Sequence, residues 1–148
     1  MIRYYQVTYN TTKLTNQDVI ATISFTKNGI ASNDVTVEGG NTHTFTQNGD
    51  YTFEYVDSAG NTGMATATVN WIDKTAPTAT VSYDVTAPTN GSVVATLGNA
   101  SEEIVITNNN GKNTHTFTEN GTFTFEFRDA AGNTGTATAT VNWIDKTA

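Results

Sequence analysis

The sequence predicts an all-β protein built as two tandem β-sandwiches of about seven strands each. Three observations predict it. Short runs of alternating apolar and polar residues recur along the 148 residues, separated by Gly-, Asn- and Asp-bearing turns roughly every 8–12 residues. No segment carries the apolar period of a helix. Finally, residues 41–76 (NTHTFTQNGDYTFEYVDSAGNTGMATATVNWIDKTA) are written again at 113–148, with 7 mismatches in windows of 36 residues. A repeat of this quality sets the architecture before any single motif is weighed.

The repeat also divides the chain. Val7-Thr8-Tyr9 matches Val81-Ser82-Tyr83, and Val19 to Ile23 matches Val93 to Leu97, both at an offset of 74 that falls to 72 in the repeated block. The expected domains are therefore 1–74 and 75–148, joined by a linker at about 72–78. A unit of this size buries only about 60–65% of its unfolded surface, so its core works near the lower limit for independent folding. With no cysteine, no disulfide can add to it.

Taken in order, the first strand of each unit alternates Tyr5, Val7, Tyr9 and Ala79, Val81, Tyr83. The second points Val19, Ala21, Ile23 and Phe25 inward, against Val93, Ala95 and Leu97. A loop that differs between units follows, 26–34 in one and 98–103 in the other. Val35-Thr36-Val37 and Ile104-Val105-Ile106 then read as third strands, with turns at Glu38-Gly39-Gly40 and Asn108 to Gly111. The repeated block reads as two successive hairpins. A strand at Thr42 to Thr46 (Thr114 to Thr118) leads through an Asn-Gly turn into a strand with aromatics on its inner face. Those aromatics are Tyr51, Phe53, Tyr55 and Phe123, Phe125, Phe127. The last strand alternates Ala65, Ala67, Val69, Trp71 with Met64, Thr66, Thr68, Asn70. Small alanines facing large aromatics suit two interleaved sheets. Seven such strands per unit read as an immunoglobulin-like sandwich.

The run T-F-T-x-N-G-x-[YF]-T-F-E-[YF]-x-D-x-A-G-N-T-G-x-A-T-A-T-V, followed by D-K-T-A-P, resembles the bacterial immunoglobulin-like (Big-type) repeat domains of surface and secreted proteins. The resemblance covers both units. It implies the sandwich fold and a place in stalks, spacers or adhesins. The Cys…Trp…Cys core of antibody domains is missing, so Trp71 and Trp143 are not equated with the antibody tryptophan.

Composition removes several function classes. A net charge of −7 with seven Lys+Arg opposes nucleic-acid binding, which needs clustered positive charge. No apolar run reaches a membrane span, and MIRYYQVTYN lacks a signal-peptide core. The 31 threonines fit β-strands with hydroxyl-bearing outer faces. The closing phrase Ile144 to Ala148 is the one that leads at Ile72 to Ala76 into Pro77. That arrangement is expected of a piece of a longer array, with targeting and anchoring signals elsewhere.

Candidate chemistry concentrates in the acids. Asp57 and Asp129 open the turns D-S-A-G-N and D-A-A-G-N, where an Asp side chain can accept backbone N–H bonds while Gly60 or Gly132 takes positive φ. The sharper expectation is an interdomain calcium site formed by Asp73, Glu102, Glu103, Asp129 and Asn133, because calcium takes six to eight oxygens of these kinds. His43 and His115, one per unit, lack companion ligands for a transition metal and read as partly buried rings, each with a hydrogen-bonded nitrogen. No nucleophile–base pairing or G-x-S-x-G is present, so no enzyme is expected. Lys13 has Ala87 as its counterpart, which argues against a Lys–Asn crosslink of the stalk-domain kind. The outward threonine rows invite an ice-binding reading that sheet twist opposes. For a carbohydrate surface, the inward parity of most aromatics leaves only Tyr4 and Trp71 or Trp143 to consider.

These readings converge on a non-catalytic extracellular spacer module of a bacterial surface or secreted protein, whose partners are neighbouring repeats. The alternative is an adhesive or carbohydrate-binding module that meets a glycan, host or cell-wall ligand through the loops 26–34 and 98–103.

Overall fold

The computed structural model describes residues 3–148. Among them, every regular element is a strand except one 3-10 turn at Asn109–Gly111. The chain forms two compact units, Met1–Asp73 and Lys74–Ala148.

In unit 1, β1 (Arg3–Tyr9) pairs antiparallel with β2 (Val19–Lys27), whose other edge takes β3 (Ile30–Ala31) and β5 (Thr42–Phe45). A second antiparallel sheet runs β4 (Val35–Val37), β6 (Gly49–Asp57), β7 (Thr62–Val69). The inward residues that alternation marks are the ones buried. Val19, Ala21, Ile23 and Phe25 from β2 meet Phe53 from β6 and Ala65, Ala67, Val69 from β7 in one cluster, closed by Val37, Phe45 and Ile72. Residues from both sheets share that core, so the unit is a β-sandwich. Unit 2 repeats the plan. β8 (Thr80–Tyr83), β9 (Val93–Gly98) and β11 (Thr114–Phe117) form one sheet. β10 (Val105–Ile106), β12 (Gly121–Arg128) and β13 (Thr134–Val141) form the other. Its core gathers Val93, Ala95, Leu97, Phe117, Phe125, Phe127, Ala139 and Val141.

Two details depart from the sequence expectation. Residues 26–34 are not simply a loop: β2 runs on to Lys27 and turns back through Asn28-Gly29 into β3, with both turn residues at positive φ (56° and 77°). That is the backbone a two-residue hairpin requires. The connection from β5 to β6, by contrast, is not a hairpin. β5 pairs with β2 while β6 pairs with β4 and β7, so the chain crosses from one sheet to the other. Asn48 and Gly49 are absent from the positive-φ residues, and the Asn side chain does a different job. Asn48 Nδ2 donates to the Ile72 carbonyl at 2.9 Å, and the Ile72 N–H donates to Asn48 Oδ1 at 2.8 Å. On its other side, this stretch is laddered to Thr15, through Thr15 N–H to the Trp71 carbonyl (3.0 Å) and Asp73 N–H to the Thr15 carbonyl (2.8 Å). The amide thus stands in for a missing neighbouring strand. Unit 2 has the same clamp between Asn120 and Ile144, at 3.0 and 2.8 Å.

The tryptophans belong to this scaffold. Trp71 Nε1 donates to the Thr11 carbonyl (2.9 Å), and its ring meets Tyr9 edge-on at 5.1 Å. The Tyr9 hydroxyl accepts from the Thr68 N–H, covering one group of the β7 edge. Trp143, Tyr83, Val85 and Thr140 repeat the arrangement. Both indoles are partly buried and bonded through Nε1 into the scaffold.

The units differ where their first strands begin. In unit 2, β9 stops at Gly98, Asn99 takes positive φ, and Thr78 and Ser101 exchange two bonds. The buried Pro77 there lays its carbonyl against Gly135, beside the Phe127 ring. In unit 1, β1 stays paired with the longer β2 as far as Arg3–Lys27. At Gly63 the three atoms nearest to an added Cβ all belong to the Tyr55 ring, the first at 2.6 Å.

Candidate functional site

The β6–β7 and β12–β13 turns are built alike. Asp57 Oδ1 accepts the N–H groups of Ala59 (3.0 Å) and Asn61 (2.8 Å), and Asn61 Nδ2 donates to Oδ2 at 3.0 Å. Gly60, at φ 90°, closes the loop by donating its N–H to the Asp57 carbonyl. Asp129 holds Ala131, Asn133 and Gly132 with the same geometry. An Asp at this position organises four residues of backbone at once, which is why D-x-A-G-N specifies the turn.

In unit 2 the turn is also acidic and buried. Asp129 is 1% exposed, and its carboxylate oxygens come within 4.8 Å of those of Glu102. Burial on its own would raise the Asp129 carboxyl above its ordinary 3.8. The bonds from the Asn133 side chain, the Asn133 and Ala131 N–H groups and the Glu102 side chain outweigh burial and hold it lower. The sign of the linkage follows. A carboxyl whose folded-state pKa is depressed stabilises the fold above its unfolded value, and that stability is lost as pH falls through the folded-state value. Unit 2 should therefore hold its stability above about pH 4 and lose it progressively in more acid solution. Urea melts at about pH 7, 4 and 3 should show a flatter acid limb for Asp129→Asn than for the parent. Equal limbs would remove Asp129 from the acid response.

Of the five residues expected to bind calcium, unit 2 brings Glu102, Asp129 and Asn133 together around its turn. Glu103 follows in the same loop with an exposed side chain. Asp73 closes unit 1, its N–H spent on Thr15. The oxygens of the Asp129 turn are hard donors of the kind calcium takes, yet they already accept amide hydrogens, and a cation would have to displace those bonds.

An acid also touches the unit 1 turn, which sequence reasoning passed over. Asp34 accepts from Ser32 Oγ at 2.5 Å and from Ser58 Oγ at 3.3 Å. Its place in the variable loop before β4 hid the parallel with Glu102. Both histidines are half-buried and held by ring stacking. His43 lies on Tyr51 at 3.7 Å and 10°, and His115 on Phe123 at 4.0 Å and 6°. The expected hydrogen-bonded nitrogen is not found among the described residues.

The sequence matches no family model and no curated protein. No helix of the described residues is long and apolar enough to cross a membrane.

Proposed function

We propose that the chain is a non-catalytic structural spacer, two immunoglobulin-like sandwiches from a longer extracellular array on a bacterial surface or secreted protein. One observation carries the reading: the side chains that recur in both units are spent on holding the sandwich. Asn48 and Asn120 clamp Ile72 and Ile144. Tyr9 and Tyr83 cap the β7 and β13 edges. Thr52–Thr66 and Thr124–Thr138 join hydroxyls across strands at 3.0 Å. Asp57 and Asp129 tie their turns. A spacer acts by the number and length of its units, and duplicating the scaffold while varying the loops suits that role.

The test is scattering from chains carrying one, two and four units. The expected result is a maximum dimension that grows by an equal step with each unit. A particle that stays compact as units are added, or that associates into a closed oligomer, would refute the spacer reading.

A further inference from the structure

We infer that unit 1 binds an arginine-bearing segment of a partner protein on the outward face of its β4–β6–β7 sheet. This goes beyond the spacer reading and does not depend on it. The face holds a groove of about 690 Å³, lined chiefly by Thr36, Glu38, Glu54, Val56, Thr62 and Met64.

The strand register sets these side chains in two rows. Thr36, Val56 and Thr62 stand opposite one another across β4, β6 and β7. In the next row of the same face, the Glu38 N–H donates to the Glu54 carbonyl at 2.9 Å, and Glu54 pairs with Met64. Two glutamates thus lie directly opposite each other on adjacent strands, an arrangement that costs stability. Their neighbours in the two rows supply no cation. Met64 is 66% exposed and Val56 37%, so apolar surface stands in solvent next to the acids.

Unit 2 builds the same sheet without either feature, and it points to the occupant. There the two rows read Val105, Arg128, Thr134 and Thr107, Glu126, Thr136. One acid replaces the opposed pair, and an arginine stands two residues from it on the same face, where unit 1 has Val56. Unit 2 carries within its own chain the guanidinium that unit 1 lacks. Val56 against Arg128 and Met64 against Thr136 are among the 7 mismatches of the repeated block. Another, Asp50 against Thr122, adds a further acid to the outward row of β6. The outward face of unit 1 is therefore acidic and partly apolar, whereas that of unit 2 is balanced in charge.

The groove suits arginine in both of its parts. The methylene stem can lie on Val56 and on the adaptable Met64, while the planar fork of N–H donors can serve carboxylates on neighbouring strands. An anion would be repelled, and a purely apolar ligand would bury two carboxylates without partners. Calcium takes about six to eight oxygens, which two glutamates beside a valine and a methionine do not supply.

The experiment titrates the isotopically labelled full chain with acetyl-Gly-Arg-Gly-amide and with the same peptide carrying citrulline, the neutral isostere of arginine. The arginine peptide is expected to shift the amides of Glu38, Glu54, Val56 and Met64, leaving Thr107, Glu126, Arg128 and Thr136 unmoved. The citrulline peptide should bind about tenfold more weakly, and Glu54→Gln should weaken the arginine peptide by a similar factor. Val56→Arg installs the residue that unit 2 holds at the same position, so it should keep the parental melting temperature and abolish the shifts. The inference is overturned if the arginine peptide leaves these amides unmoved, if the citrulline peptide or calcium chloride shifts them equally, or if the shifts survive Val56→Arg. It is also overturned if the same amides move on dilution of the chain alone, which would assign the face to a second copy.

Discussion

Phe125→Ala is expected to destabilise unit 2 by about 3–5 kcal/mol. The ring is fully buried in the central strand of its sheet, edge-on to Phe123 at 5.0 Å and opposite Ala137 on β13. That small partner makes the loss severe, because alanines on the neighbouring strand cannot swing in to fill the space. A domain typically holds about 5–15 kcal/mol in total, and a unit of this size belongs near the lower end. One truncation should therefore remove most of the stability of unit 2. The chain has two tryptophans, one in each unit, so in a Trp71→Phe background Trp143 alone reports on unit 2. Urea melts should show a lower midpoint with an unchanged slope. Phe123→Ala, which removes a half-buried ring, should cost clearly less. A Phe125→Ala loss below about 1 kcal/mol would contradict its place in the core.

The core was legible because strands alternate with period two, and this chain keeps that alternation clean. Val19, Ala21, Ile23 and Phe25 could be assigned to one face without a structure, and all four are buried. The Asp57 and Asp129 turns were legible for a local reason: an Asp with a Gly three residues on constrains a few dihedrals whatever surrounds it. Two other features depend on partners distant in sequence. Tyr5 has inward parity, yet it stands half in solvent on the stretch of β1 that follows β2 out to Arg3–Lys27. Parity names a face; it does not say how far along the strand the opposite sheet extends. Asn48-Gly49 has the composition of a hairpin turn, and only the pairing of β5 with β2 excludes one. The residue that bonds Asn48 lies 24 positions away, out of reach of any local pattern.

That distant bond sets the second large effect. Asn120→Ala should cost about 2–4 kcal/mol, since it leaves both the N–H and the carbonyl of the buried Ile144 without their protein partners. Asn48→Ala should act alike on unit 1 through Ile72. The informative variant is Asn120→Asp. Its carboxylate still accepts from the Ile144 N–H, but its second oxygen faces the Ile144 carbonyl where the amide used to donate. Two acceptors in apposition disfavour the charged form, so the folded-state pKa of the new Asp rises above its unfolded value of about 3.9. The sign is opposite to that of Asp129. The clamp is restored below the unfolded pKa, where the protonated carboxyl donates again, and it is lost as pH rises through the folded-state value. The stability difference between Asn120→Asp and the parent should therefore be large at neutral pH and shrink on acidification, while that of Asn120→Ala keeps no such dependence. Melts of the three chains at about pH 7 and 4 separate the cases. If the Asp and Ala variants lose equal stability at both pH values, Asn120 acts as an ordinary turn residue and its amide does not replace a strand.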